Sequence, residues 1–422
     1  MKIVICGIFY YPDLIGVAKY TGEMAEWLQS RGHRVRVITA YPFYPAWRIR
    51  KGYPSWRYCV QNISGVTIIR CPIWVPKTPS GLTRLLHLIS YAVSSLPIIL
   101  WQVLWRPKAF IAIEPTFFCI PGTLVASRLS RARSWVHIQD FEIDIAFSLG
   151  LLSTSTLKSA IGGFESWILS KYDRISTISE RMIDHLKEKK IVHAIPLLFP
   201  NWVDTKRIYP QKHNNVLRTE MGILNNQVVV LYSGNWGEKQ GLEVLIEAAR
   251  RMQDQKRIIF VFCGEGAAYK RIKKAARDLV NVRWINLQPE HRLNDLLNLA
   301  DIHLLPQRGD AADLVMPSKL TGMLASGKSI LATAMTGTQV FNLLSEIVTV
   351  VPPGKIDEFV VALKGLVENE GKRRIQGDRA RRYAINNLDK EVILSEFERE
   401  LLACDNDKRK KKCHKKCLLK IR

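Results

Sequence analysis

Two glycine-bearing strand–loop–helix units, one opening each half of the chain, limit what this sequence can fold into. In the second half the apolar run VVVL leads into YSGNWGEKQGLEVLIEAA, Tyr232 to Ala249. This pattern predicts a buried strand that ends in a glycine-rich turn and opens a helix. Gly234, Gly237 and Gly241 let the backbone turn sharply, so that amides at the helix N-terminus face an anion. The first residues, KIVICGIFYYPDLIGVAKYTGEMAEWL, repeat the plan. Two such units predict two nucleotide-binding α/β domains facing a shared cleft, and a phosphorylated small molecule between them.

The rest of the pattern agrees. IVICGI, RVRVIT, VTIIRC, AFIAIE, RSWVHIQ and RISTIS in the first half are short apolar runs separated by helical or loop segments, as are QVVVLYSG, RIIFVFCG, VRWINLQ, DIHLLPQ, KSILAT and IVTVVPP in the second. Such alternation predicts parallel sheets covered by helices. The proline-punctuated FPNWVDTKRIYP, Phe199 to Pro210, marks the crossing between domains. The expected organisation is a first domain over 1–200, a second over 201–387, a helix over 388–403 returning toward the first, and a basic tail over 404–422. The Pro-, Tyr- and Trp-rich stretch between Ala40 and Arg84 reads as an irregular cleft-lining region.

At 422 residues the chain is too long for one ordinary core. Its net charge of +24 is large, and KRKKKCHKKCLLKIR (Lys408 to Arg422) carries nine basic residues and no acid. A basic surface suits nucleic acid, anionic lipid or an anionic substrate, and charge alone does not choose. No RNA-stacking or DNA-reading module stands out, so nucleic acid is not an expected partner. Cys404, Cys413, His414 and Cys417 lack a second ligand pair at metal-binding spacing, and Asp140, Glu142 and Asp144 alternate along the chain; no metal or other cofactor is expected. No cleavable signal precedes the first strand, which predicts a reducing, cytoplasmic location.

LLHLISYAVSSLPIILWQVLW, Leu85 to Trp105, is about the length of a bilayer span. It falls between strands of one predicted sheet, so a true span would divide that sheet across the membrane. A buried helix pair and a helix lying on an anionic lipid surface are the other readings.

FYYPDLIGVAKYTGEMAEWL, HIQD, FPNWVD, GNWGEKQGLE, VMPSKLTGMLASGKSIL and VPPG, in this order and spacing, resemble glycosyltransferase family 4. The likeness runs from Met1 to about Ala403. It implies the GT-B fold and a retaining transferase, with a nucleotide-sugar donor on the C-terminal domain and the acceptor on the N-terminal one. The colanic-acid branch of the family further implies exopolysaccharide synthesis, GDP-fucose as donor and a lipid-linked or oligosaccharide acceptor. Loss of a diphosphate is the chemical problem, and groups aimed at it stabilise the transition state.

The resemblance places Gly234, Asn235 and Gly237 at the donor phosphates, with Gly16 as an approach point from the first domain. Many members carry Arg and Lys in the loop after the first glycine; here Asn235 stands in the first place and Lys239 or Gln240 in the second. Lys319, between Pro317–Ser318 and a helical stretch, takes over the cationic role, with Arg308 as helper. The family's acidic pair falls on Leu314 and Gly322, neither acidic. Asp313 adjoins the first position and Asp310 is close; either can reach a donor hydroxyl, and Asp313 is the favoured candidate. His137 and Asp140, in HIQD at a strand end, are the candidates near the transferred sugar, and Asp13 or Asp140 for an acceptor base. No covalent nucleophile is marked. A nucleotide-sugar epimerase of the same fold, and a basic non-enzymatic nucleic-acid or membrane binder, are the competing readings.

Overall fold

The computed structural model describes residues 1–13, 16–54, 56–141, 155–189, 191, 196–211, 215–237, 240–309 and 317–403. They divide into two compact units, Met1–Pro200 joined by the segment from Leu394, and Asn201–Ile393.

The first unit runs β1 (Lys2–Cys6), α1 (Gly16–Ser30), β2 (Arg34–Ala40), β3 (Cys59–Ile63), β4 (Val66–Cys71), α2 (Gly81–Trp105), β5 (Ala109–Glu114), α3 (Ile120–Leu129), β6 (Arg133–Ile138), α4 (Ser155–Leu169), β7 (Arg174–Thr177), α5 (Glu180–Glu188) and β8 (Leu197–Leu198). The strands form one sheet in the order β3-β4-β2-β1-β5-β6-β7-β8. β5 and β6 are buried along their whole length, as continuous apolar runs demand when helices cover both faces. Every pairing is parallel except β3 with β4. β4 is the strand expected at VTIIRC, and its partner β3 corrects the reading of the rest of Ala40–Arg84 as irregular. The turn between them places Ser64 and Gly65 at φ +52° and +81°, both left-handed.

The apolar segment folds as one continuous helix, α2, of 25 residues with Pro97 inside it. This corrects the reading as a buried helix pair. A span is also ruled out, because β4 and β5 on either side belong to the same sheet.

The second unit runs α6 (Val216–Glu220), β9 (Val228–Ser233), α7 (Glu243–Arg251), β10 (Ile258–Cys263), α8 (Tyr269–Ala275), β11 (Val282–Ile285), α9 (Leu293–Leu299), β12 (Ile302–Leu305), α10 (Lys319–Ala325), β13 (Ser329–Thr333), α11 (Gln339–Leu344), β14 (Thr349–Val351), α12 (Ile356–Glu368) and α13 (Glu370–Asn387). The sheet order is β11-β10-β9-β12-β13-β14, parallel throughout. This is the doubly wound order in which the chain reverses direction beside its first strand.

A last helix, α14, spans 390–403 and belongs to the first unit from Leu394 on. Phe397 stacks on Phe199 at 4.5 Å and meets Trp135 edge-on at 4.7 Å. Glu398 accepts from His33 Nε2 at 2.7 Å and from Arg31. The end of the chain is thereby fastened to the sheet that its beginning forms.

Candidate active site

In open parallel sheets a crevice forms outside the carboxyl ends of the strands where the order reverses. In the second unit that point lies between β9 and β12. β9 ends at Ser233, and Gly234 follows at φ +144°, a conformation that side-chain-bearing residues rarely adopt. Its N–H donates to Cys263 O at 3.1 Å, and the Trp236 N–H donates to Glu265 O at 2.9 Å. The loop after β9 is therefore laced to the loop after β10. The approach is so close that a Cβ on Gly264 would stand 1.9 Å from Gly234 O, and one on Gly266 2.6 Å from Asn235 Oδ1. The sequence signal for both glycines, absent from the expected site, is CGEG directly after the apolar run RIIFVF.

The Trp236 side chain anchors this loop from below. It is fully buried, with Tyr232 at 4.9 Å and Trp284 at 5.1 Å. Above it the polar groups converge. The Tyr232 hydroxyl lies 2.7 Å from both Asn235 O and Gln240 Oε1. Lys319, the first residue of α10, lays its Nζ 4.2 Å from the Tyr232 ring centroid and donates to Gln240 Oε1 at 3.3 Å. Burial withdraws this ammonium from water and lowers its pKa to about 7. A desolvated cation held beside a glycine-rich strand end is an anion-binding arrangement.

The structure thus brings Gly234, Asn235, Gly237, Gln240 and Lys319 together. Arg308 joins them, since a Cβ on Gly241 would lie 3.2 Å from its Cγ. Arg308 is exposed and shares its field with Glu243, which heads α7 and pairs with Arg271 at 2.9 Å. Burial pushes the Glu243 carboxyl up, but its own backbone amide, Arg271 and Arg308 outweigh that and hold it below the usual range. Pro317 and Ser318 shape the entry to α10, where the Leu320 N–H donates to Pro317 O at 2.9 Å. Lys239 and Asp313 lie outside the described residues, as do Asp310 and Leu314. Gly322, the other position of the missing acidic pair, faces Leu297: a Cβ there would stand 3.2 Å from Leu297 Cδ1. A larger side chain at this point has little room.

In the first unit the corresponding reversal lies between β1 and β5. Gly16 opens α1 just beyond the loop that follows β1. That loop is fixed by Arg70, fully buried on β4, which donates to Ala40 O at 3.1 Å and also to Tyr11 O. Asp13 is buried in it, and burial raises its pKa to about 7 against the opposing pull of Tyr44 and Phe43 amides and Arg70. His137, on β6, is interior: Nδ1 sits 3.0 Å from Ser176 Oγ and the ring meets Phe199 at 4.9 Å. Desolvation lowers its pKa to about 3, so the imidazole is neutral at any physiological pH. Asp140, just beyond the end of β6, is half-buried, and burial raises its pKa to about 6. Among the described residues no group of three or more His, Cys, Asp or Glu is arranged to hold a metal ion.

Residues 16–202 match the Glycosyl transferase 4-like domain, and residues 215–383 match Glycosyl transferases group 1. The chain is 40% identical over 407 residues to the Escherichia coli (strain K12) protein named as colanic acid biosynthesis glycosyl transferase WcaI, covering 94% of this chain and 98% of that one. It belongs to glycosyltransferase family 4. Among solved structures, sucrose-phosphate synthase from Thermosynechococcus elongatus superposes with a TM-score of 0.74 at 14% identity, over 96% of this chain and 100% of the other. Anabaena HepE in complex with UDP-glucose superposes with a TM-score of 0.66 at 13% identity, over 96% and 100%. These likenesses show the GT-B fold. As a family 4 glycosyltransferase, the chain carries its glycine-and-lysine crevice on the C-terminal unit.

Proposed function

We propose that this glycosyltransferase moves a sugar from a nucleotide-sugar onto a lipid-linked or oligosaccharide acceptor during synthesis of a colanic-acid-like exopolysaccharide, with retention at the sugar carbon. The observation that carries the reading is Lys319 held over Tyr232 beside Gly234, at the reversal point of the C-terminal sheet. A diphosphate seated there meets the Lys319 ammonium and the amides of the 234–237 loop. Arg308 adds charge from the β12 side. All of these groups strengthen their hold as the leaving diphosphate gains charge.

No enzyme nucleophile enters this reading, because the departing phosphate can take the acceptor proton in a same-face displacement. Asp140 and Asp13 are the carboxylates this reading offers as acceptor base on the N-terminal side, with the neutral His137 at the strand end before Asp140. Asp313 completes the reading as the donor-hydroxyl contact. The identity to WcaI supports a role in colanic-acid-like synthesis, from which GDP-fucose follows as the donor to test, and HepE in complex with UDP-glucose supports a nucleotide-sugar of some kind. Work on a lipid-linked acceptor sits at the cytoplasmic face of a membrane.

Calorimetric titration with GDP, UDP, GDP-fucose and UDP-glucose tests the donor. Micromolar binding of GDP and GDP-fucose with weak UDP binding is expected. Preference for UDP would overturn the fucose assignment, and binding to none of the four would overturn the transferase site. Release of an isomerised free sugar without acceptor would favour the epimerase instead.

A further inference from the structure

One face of α2 is apolar and open to water along its length. Leu82, Leu86, Val93, Leu96, Leu100 and Leu104 recur at helical spacing on that face, with Trp101 beside them. Val93 is 68% exposed, Trp101 63% and Leu104 76%. The neighbouring helix α3 continues the patch: Leu129 is also exposed, and the two helices touch so closely that a Cβ on Gly122 would lie 2.8 Å from Leu96 Cδ1. At 25 residues the helix is roughly 37 Å long. An exposed apolar strip of that length marks a docking surface.

Charge says what covers it. Between Gly81 and Gln139 the chain has six cations, Arg84, Arg106, Lys108, Arg128, Arg131 and Arg133, and a single acid, Glu114, which is buried in β5. The C-terminal end of α2 abuts a row of basic strand starts. There the Arg34 N–H donates to Met1 O at 2.8 Å, the Lys108 N–H to Lys2 O at 2.8 Å and the Arg133 N–H to Lys108 O at 2.9 Å. Consecutive strands in this row lie about 4.8 Å apart. Trp105 ties the helix to it: Lys2 Nζ donates to Trp105 O at 2.9 Å, and the Arg36 guanidinium stacks 4.1 Å from the indole centroid. A second copy of this chain placed on the face would set basic edge near basic edge. An apolar strip ending in a cationic edge fits a sheet of anionic headgroups over hydrocarbon.

We infer that α2 and the basic edge at its C-terminal end form the surface by which this enzyme seats on an anionic lipid bilayer, the strip entering the headgroup boundary. Its purpose rests on the reading of a lipid-linked acceptor, but its test does not.

The test is co-sedimentation of the purified full chain with vesicles of phosphatidylcholine alone or of phosphatidylcholine with phosphatidylglycerol. Binding only to the anionic vesicles is expected. The double variant Trp101→Glu, Leu104→Glu changes exposed side chains and should unfold at the wild-type temperature, yet bind vesicles on the order of 100-fold more weakly. Arg34→Glu with Lys108→Glu should lose roughly tenfold or more. The basic tail is present in every variant, so binding driven by it alone would leave both variants unchanged and overturn the proposal. So would indifference of the wild type to anionic vesicles, or a wild-type dimer that Trp101→Glu, Leu104→Glu dissociates. Nucleotide binding measured on the same samples separates the two readings: its loss with vesicle binding intact strikes the donor assignment alone.

Discussion

The ammonium of Lys319 lies 4.2 Å from the ring centroid of Tyr232, joining two residues 87 positions apart at the carboxyl end of β9. Its stem passes 3.2 Å from the point where a Cβ on Gly234 would stand. Removing the charge should therefore act on the donor and not on the fold. Lys319→Met is expected to lower kcat/KM by on the order of 10²–10³-fold. Its thermal midpoint should hold or rise, since a desolvated cation has been replaced by an apolar chain of similar length. Full transfer rates in this variant would show that the diphosphate sits elsewhere.

The same lysine makes donor binding depend on pH. In the free enzyme desolvation brings its pKa from 10.5 to about 7, whereas a bound diphosphate favours the ammonium. Binding then takes up a proton, and affinity for a nucleoside diphosphate should fall as pH rises above about 7, by up to about tenfold per unit. The contribution of Lys319 to stability runs the other way. Between about 7 and 10.5 the unfolded lysine holds a proton that the folded one has released, so stability rises with pH across that window. Titrations in buffers of different ionisation enthalpy measure the proton directly. An uptake identical in wild type and Lys319→Met would remove Lys319 from the account.

Gly264 is predicted to be the most demanding glycine of the crevice. It takes φ +137°, and a Cβ there would collide with Gly234 O at 1.9 Å and approach Trp236 Nε1 at 2.9 Å. Backbone has to move to admit it, so Gly264→Ala should destabilise the C-terminal unit by about 3 kcal/mol or more. Gly337, also left-handed at φ +85° but with nothing within 4 Å of its added Cβ, should cost only the backbone strain when changed to alanine, about 1–2 kcal/mol. Urea unfolding of the two variants compares them. Equal losses would mean that the lacing of the two loops is looser than the distances say.

How much of this was legible in the sequence differs from element to element. The parallel strands announced themselves as short runs of Val, Ile and Phe, because strands buried on both faces need apolar side chains throughout. β3 did not. It is an edge strand whose residues alternate half-buried and exposed, and CVQNI carries too little apolar signal to stand out among Pro, Tyr and Trp. In the site, Gly234 and Lys319 could be named from their local settings. That Tyr232 lies beneath the lysine, or that Gly264 must be a glycine, follows from loops meeting across neighbouring strands, which local spacing does not encode. The α2 segment showed its length and apolarity, but which side met water depended on where α3 packed.

The C-terminal helix offers the last test, of how the end of the chain supports its beginning. Phe397 is buried between Phe199, stacked at 4.5 Å, and Trp135 of β6, edge-on at 4.7 Å. His137 meets the same Phe199 at 4.9 Å. Truncating Phe397 to alanine should cost about 3–5 kcal/mol through lost burial and the cavity left behind. The loss falls on the N-terminal unit, so that unit should loosen while nucleotide binding at the Lys319 crevice persists. Hydrogen exchange resolves the two: amides of β6 and β7 should lose protection in Phe397→Ala, and those of β9 and β10 should keep it. Protection lost equally in both sets would mean that the two units unfold as one, and that α14 stabilises the whole chain and not the unit it packs on.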